Sequence, residues 1–186
     1  MAQAACATIR GVVLDWRKLN GLCSSELASA LQAELDTVMR DLSDQEEDEL
    51  LARLPVPLRV LWVLWVLDWL DFEVSQGSLL AYFFNSHGRH AAQAVQALRD
   101  IGAVGMASVV MQAAELVAAT SDEWAARRDG LGREKEYAVA RPYVGLSNAE
   151  ELSELTDQYW AAADEESWGD KLHAFLSRAV EATACR

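Results

Sequence analysis

The longest apolar run of the chain, Leu58–Gly88, limits the folds that the chain can adopt. Within it Trp62, Trp65 and Trp69 recur at i, i+3 and i+7, which is the period of one face of an α-helix. Burying a Trp or Leu side chain stabilises a fold by about 1.5–3 kcal/mol. We therefore predict a central Trp-rich helix in the first part of this run, with the three Trp facing the core. A break at Gln76-Gly77-Ser78 is predicted to separate it from a second apolar helical piece, Leu79 to Phe84.

Charged residues argue against a membrane span here. A span needs about 20 predominantly apolar residues, whereas Arg59 bounds the run and acids interrupt it. Those acids are Asp68, Asp71 and Glu73. The stretch Val-Leu-Trp-Val-Leu alone would also fit a buried strand, but the long periodic segment and the preceding Pro57 favour a helix.

Helical periodicity covers most of the remaining sequence, so we predict an all-α bundle of about seven to nine helices. We predict that residues 1–57 are an N-terminal helical segment packed on a helical domain of residues 58–186, and that together they make one structural domain. Residues 8–21 fit either a short strand or a short helix. Residues 130–145, with three Gly and one Pro, predict a long loop.

A motif follows the central helix, in the segment Glu73–Ser86, EVSQGSLLAYFFNS. It resembles the acidic all-helical family that includes a DNA-mimic protein, in which an acidic residue precedes Asn-Gly-Gly-Phe, Gln-Tyr-Phe and Asn-Ser. The matching residues are Glu73, Gly77, Tyr82, Phe83, Asn85 and Ser86. The departures are Gln76, Ser78, Leu79 and Ala81, which replace Asn, the second Gly, Phe and Gln. The resemblance runs from about residue 58 to residue 178.

The motif has a structural interpretation and a ligand-binding one, and the residue types favour the first. Gly77 allows close approach of the backbone, Tyr82 and Phe83 pack, and Asn85 and Ser86 bond to local backbone groups in a turn. The same turn holds His87 and His90, for which we predict surface positions rather than metal ligation.

The charge of the chain predicts a basic partner. Asp and Glu number 29 against 16 Lys and Arg, which gives a net charge of −13. Such a surface repels phosphates, so direct binding of nucleic acid is disfavoured. Acidity also favours solubility, and the charge alone does not decide between the two explanations.

Two acidic clusters are the predicted partner-binding residues. The first is Asp44, Glu46, Glu47, Asp48 and Glu49, and the second is Asp164, Glu165, Glu166 and Asp170. Carboxylates at a helix N-terminus are stabilised by the helix dipole. This effect is a structural explanation for the acids in both clusters, as an alternative to partner binding. It accounts for one or two acids, but five within six residues repel one another. Elsewhere, Ser147 and Glu150 have the spacing of a capping box that opens a helix.

The sequence lacks the signatures of common enzymes. It has no Gly-rich phosphate loop, no HExxH and no GxSxG motif, and its three Cys are far apart and in no CxxC pair. We therefore expect no catalytic residue, no metal and no cofactor. The N-terminus does not read as a secretory signal, and together with unpaired thiols this predicts a cytoplasmic protein with no membrane association.

The resemblance implies a more specific function. A DNA mimic uses surface acids in place of backbone phosphates and occupies the nucleic-acid site of a DNA-binding protein, such as a helix-turn-helix repressor that regulates transcription. Acids one helical turn apart are separated by about 5–6 Å, comparable with two steps of roughly 3.4 Å along a DNA strand. The alternatives are an immunity protein that neutralises a toxin and an enzyme with an unrecognised site. A homodimer is compatible with each of them.

Overall fold

A computed structural model of the chain describes residues 6–9, 12–15, 26–27, 29–31, 33, 59–86, 88–133 and 146–184. Its contacts group the chain into two compact units. The first runs to Trp65 and resumes at Gly169, and the second is Val66–Trp168. The first acidic cluster, Asp44 to Glu49, lies outside the described residues, as does His87.

The first unit opens with a short antiparallel hairpin of β1, Cys6–Ile9, and β2, Val12–Asp15. Ile9 pairs with Val12 at the closed end. Of the two structures that fit residues 8–21, the strand is therefore the one present at Val12–Asp15. Helical residues follow between 26 and 33, where Leu27 and Leu31 are buried as their spacing predicts.

Every other element within the described ranges is an α-helix, which confirms the predicted all-α fold class. They are α1 Arg59–Gly77, α2 Leu79–Ser86, α3 Ala91–Ile101, α4 Val104–Ala119, α5 Ser121–Arg133, α6 Ala149–Glu166 and α7 Trp168–Ala184. The loop predicted at 130–145 was given too early a start. Helix α5 continues to Arg133 and includes Gly130 and Gly132. The remainder of that loop lies outside the described residues.

The orientation predicted for the Trp side chains of α1 is wrong. The buried face of this helix consists of branched aliphatic side chains, Val60, Val63, Leu64, Val66, Leu67, Leu70 and Val74. Trp62 and Trp65 are only partly buried, and Trp69 is 38% exposed. Both sets have helical spacing, so periodicity shows that the segment is a helix but not which apolar set faces inward.

The centre of the second unit is α4, which packs against α3 and α6 and also contacts α2 and α5. Its buried side chains include Ala107, Val110 and Ala113, whose small size lets neighbouring helices approach closely. From the other side, α6 contributes Leu152, Leu155 and other residues at intervals of three and four. Because this face of α6 is buried, the opposite face is presented to solvent.

Two breaks shape the path of the chain. Helix α1 ends at Gly77, and Ser78 adopts a positive φ of 92° before α2 begins. The Ser78 hydroxyl accepts a hydrogen bond from Leu80 N at 3.2 Å. Gly102, with φ 88°, ends α3 in the left-handed conformation, and its N–H donates to Arg99 O.

Candidate protein-binding surface

Helix α6 is the most acidic element that the structure describes. It carries seven carboxylates and no basic residue: Glu150, Glu151, Glu154, Asp157, Asp164, Glu165 and Glu166. Five of them recur with helical period on the solvent side, and all five are exposed: Glu150, Glu154, Asp157, Asp164 and Glu165. We call these five residues the α6 acidic face.

The helix dipole does not explain the last turn of α6. Glu150 and Glu151 lie in the first turn, where carboxylates are favoured. Asp164 and Glu165 instead lie at the C-terminal end, where each carboxylate is disfavoured by about 0.3–1 kcal/mol. Applying the N-terminal explanation to this cluster was therefore wrong for these residues. Asp170 is the one member of this cluster that lies in the first turn of a helix, α7, and it is exposed.

Glu166 differs from its neighbours because its carboxylate supports another helix. Oε1 accepts a hydrogen bond from Gly105 N at 3.0 Å, and Oε2 accepts one from Met106 N at 3.1 Å. These amides belong to the first turn of α4, where they have no partner within the helix. A Cβ atom at Gly105 would lie 3.3 Å from the carboxylate, so a glycine permits this approach. Glu166 therefore has a structural task that Asp164 and Glu165 lack.

A groove runs beside the α6 acidic face, between α4 and α6. Its polar lining consists of Gln112, Glu115, Glu151, Glu154 and Gln158, and Leu116 and Leu155 supply apolar surface. Carboxylates above apolar carbon suit a long cationic side chain, since Lys and Arg bury their aliphatic stems while their charged ends stay in polar surroundings. The groove thus matches the chemistry of a basic partner.

A buried amide fixes the start of α6. Asn148 Oδ1 accepts a hydrogen bond from Trp124 Nε1 at 3.1 Å, and its Nδ2 donates to Leu116 O at 3.1 Å and Thr120 Oγ1 at 2.9 Å. Helix α6 begins where it was predicted, but the predicted capping box does not form. Both the N–H and the hydroxyl of Ser147 donate to Glu123 on α5 instead.

A second polar contact joins α6 to the family-like motif. Thr156 Oγ1 accepts a hydrogen bond from Leu79 N at 3.1 Å and donates to Leu152 O at 2.8 Å. The first amide of α2 is thereby satisfied by a side chain of α6. Together with Asn148, this contact holds α6 at two points along its buried side.

The motif residues have mainly structural positions. Tyr82 and Phe83 are buried and meet edge to face, with ring centroids 5.1 Å apart. Ser86 Oγ donates to Tyr82 O and accepts from Gly88 N, as predicted. Asn85 does not bond to local backbone, because its Nδ2 donates to the buried Glu73 carboxylate at 2.6 Å. The motif therefore ties α2 back to α1.

Three titratable groups in the motif or near it have a raised pKa. Burial raises the pKa of Tyr82 well above its usual value. Burial also raises the pKa of Tyr159, with nearby Asp71 and Tyr82 adding to the effect. The pKa of Asp71 is raised by its own burial and then by the charge of Asp68. Both tyrosines are thus neutral packing groups at neutral pH.

The histidine prediction was wrong at the position that the structure describes. His90 is buried, at the turn that precedes α3, rather than on the surface. Within the described ranges, no group of three or more His, Cys, Asp or Glu side chains is arranged to hold a metal ion.

None of the described helices is by itself long and apolar enough to cross a membrane. The only combination of those helices that reaches this length is Val104–Ala119 with Ser121–Arg127, two helices bent by 77° at their junction.

Sequence reasoning missed most of the α6 acidic face. Glu150, Glu154 and Asp157 are spread over two helical turns, whereas the predicted clusters consist of acids that are close together in the sequence. The available signal was their spacing of four and three residues in a helix without bases.

The comparison with protein families agrees with the motif. A family model described as DMP19-like protein matches residues 52–179. No curated protein and no solved structure matches the chain. The matched family is a DNA-mimic family. Because the match covers about two thirds of the chain and includes the motif, the predicted resemblance is confirmed, and the chain belongs to the DMP19-like family.

Proposed function

We propose that this chain is a non-enzymatic protein-binding module that acts as a DNA mimic. In this role it occupies the DNA-binding site of a basic protein, such as a transcriptional regulator. The α6 acidic face carries the proposal, because it presents five exposed carboxylates on one side of a helix without bases. Family membership supports the same function.

The dimensions of the α6 acidic face support the comparison with DNA. Residues 150 and 164 are separated by about 21 Å along the helix axis at a rise of 1.5 Å per residue. That length corresponds to roughly six base-pair steps of 3.4 Å. A DNA-binding site that contacts several successive phosphates could therefore contact several carboxylates of the α6 acidic face instead.

The position of the carboxylates also favours a binding role over helix stabilisation. Asp164 and Glu165 lie where the helix dipole disfavours negative charge. They accompany Glu166, whose carboxylate already satisfies the amides of α4. Asp164 and Glu165 are not needed for the contact between Glu166 and α4. Contact with a basic partner surface would account for their presence.

The predicted acidic clusters enter the proposal in part. Asp164, Glu165 and Asp170 are exposed and remain proposed partner contacts, whereas Glu166 is kept for the support of α4. The cluster from Asp44 to Glu49 remains a prediction from the sequence. So do a cytoplasmic location and a homodimer.

A competition assay tests the proposal. The chain is immobilised, proteins from a cell extract are retained on it, and the retained partner is identified by mass spectrometry. The purified partner is then bound to labelled DNA, and the chain is added. A DNA mimic displaces the DNA in proportion to its own binding.

The same assay separates the alternatives. An immunity protein would retain a toxin and inhibit its activity without competing for DNA. A partner that binds DNA and this chain at the same time, with unchanged affinities, would refute mimicry.

A further inference from the structure

An exposed tryptophan lies at the border of the α6 acidic face. Trp160 is 37% exposed, although it is a large apolar residue. Asp157 precedes it by three residues and Asp164 follows it by four, so both acids are its neighbours on the helix surface. Both acids are exposed. We call these three residues the α6 aromatic edge.

The Trp160 ring is held in place by the residue before it. The rings of Tyr159 and Trp160 meet edge to face, with centroids 5.2 Å apart and planes at 82°. Tyr159 is buried, so this contact ties the indole to the core. An edge-to-face contact covers at most one face of the indole. Trp160 therefore presents aromatic surface to solvent in a fixed position between two carboxylates.

The stability of α6 does not explain the two acids of the α6 aromatic edge. Asp164 lies in the last turn, where the helix dipole disfavours a negative charge, and Asp157 lies beyond the first turn, where the dipole would favour one. The helix has no basic residue that could pair with them. A cation from a binding partner would complement both the acids and the ring.

The composition of the edge selects among cations. A cation above an aromatic ring is attracted by the ring electrons, most strongly by those of Trp. The guanidinium of arginine is planar, stacks on rings and donates hydrogen bonds in a fork that fits a carboxylate. The ammonium of lysine is a compact, strongly hydrated charge that does not stack. Arginine is therefore the side chain that uses the ring and a carboxylate together.

We propose that the α6 aromatic edge docks an arginine side chain of the basic partner, with the guanidinium stacked on Trp160 and paired with Asp157 or Asp164. This inference rests on the proposed function, since a protein that binds DNA carries Arg and Lys at its phosphate contacts. The ring adds a contact that a phosphate cannot make. Because stacking withdraws the guanidinium partly from water, salt weakens this contact less than it weakens an exposed ion pair.

A small probe tests the site without the partner. N-acetylarginine amide is titrated into the full chain, and the indole N–H resonance of Trp160 is followed by NMR, assigned by its loss in Trp160→Leu. The lysine analogue has the same charge without the planar group. We expect a saturable shift with arginine that persists at about 0.5 M salt, and a weaker response to lysine at every concentration.

Variants of the ring locate the stacking contact. The backbone amide resonances of residues 157 and 164 report arginine binding when the indole is absent. Trp160→Leu should weaken binding about two- to five-fold, as expected for a cation–π contact at an exposed position. Trp160→Phe keeps a ring and should lose less than Trp160→Leu.

Variants of the acids locate the charge contact. Asp157→Asn together with Asp164→Asn should weaken arginine binding, and the loss should shrink as salt is raised. Glu151→Gln serves as the matched control, since Glu151 is an exposed acid of the same helix. It precedes Trp160 by nine residues and therefore lies on the opposite side of α6. The control should leave the Trp160 titration unchanged.

Two results would overturn the inference. In one, the Trp160 resonance does not move with arginine; in the other, arginine and lysine act equally and Trp160→Leu binds arginine as the unmodified chain does. Neither result bears on the DNA competition assay, which measures whether the unmodified chain displaces DNA from its partner. Failure of this inference is thus distinct from failure of the proposed function.

Discussion

At the scale of single residues, the most informative side chain is Asn148. Its amide joins the start of α6 to α4 and α5, because its partners are Leu116 on α4, Trp124 on α5 and Thr120 between those two helices. It is also almost fully buried. Since α6 begins at the next residue, this amide sets where the α6 acidic face starts.

Replacing Asn148 by Ala should destabilise the protein by about 2–3 kcal/mol, because the Trp124 N–H and the other partners lose bonds inside the protein. Urea denaturation followed by circular dichroism measures the change. Gln158→Ala, a change of an exposed amide on the same helix, should stay within about 0.5 kcal/mol. Equal stability of the two variants would show that the Asn148 contacts contribute nothing.

Ser78 gives a second prediction at this scale, where the sequence departs from the family pattern. Its φ of 92° suits glycine, which the family has at this position. Ser78→Gly and Ser78→Ala both remove the hydroxyl, but only Gly relieves the backbone. We expect the Gly variant to exceed the Ala variant in unfolding free energy by about 1–2 kcal/mol. Ala as the more stable of the two would contradict the assigned conformation.

At the scale of helices, the two ends of α6 have different tasks. The first turn is held by buried contacts, and the last turn holds α4 through Glu166. The sequence alone shows an undivided acidic run at 164–166. It cannot show which of these acids meets the N-terminus of a helix some 60 residues earlier in the chain.

We expect Glu166→Ala to lower the unfolding free energy by about 1–2 kcal/mol, as the loss of a helix cap does. Glu165→Ala should be neutral or slightly stabilising, since it removes a carboxylate from the C-terminal end of a helix. Thermal unfolding of both variants under one buffer condition provides the test. A loss of stability in Glu165→Ala as large as that in Glu166→Ala would refute the division of tasks.

At the scale of the whole molecule, the helices were predictable and their orientations were less so. Gly102, the Ser78 break and the leucine spacing fix where helices begin and end, because these are local properties of the chain. The outward position of Trp69 and the pairing of Asn85 with Glu73 depend on packing between helices. Local periodicity does not specify such contacts.

The same limit applies to the binding surface. The acidic composition and the motif predict a basic partner and the family, and family membership is confirmed. The α6 acidic face becomes visible only when the helix is folded and its buried side is known. The dense acidic clusters in the sequence therefore predict only part of the α6 acidic face.

The central claim is that the α6 acidic face stands in for DNA phosphates, and the affinity of its neutralised form for the partner tests it most directly. The variant is Glu150→Gln, Glu154→Gln and Asp157→Asn. The control is Asp100→Asn, Asp122→Asn and Glu181→Gln, which removes three negative charges from exposed positions on other helices. Affinity is measured between 50 and 200 mM salt, a range over which several simultaneous charge contacts lose well over an order of magnitude.

The account predicts that the α6 variant binds at least about ten-fold more weakly at low salt, with a shallower salt dependence, because fewer charge pairs form. The control should bind almost as the unmodified chain does. Equal affinities and equal salt dependences for the two variants would contradict the account, because net charge rather than the α6 acidic face would then govern binding.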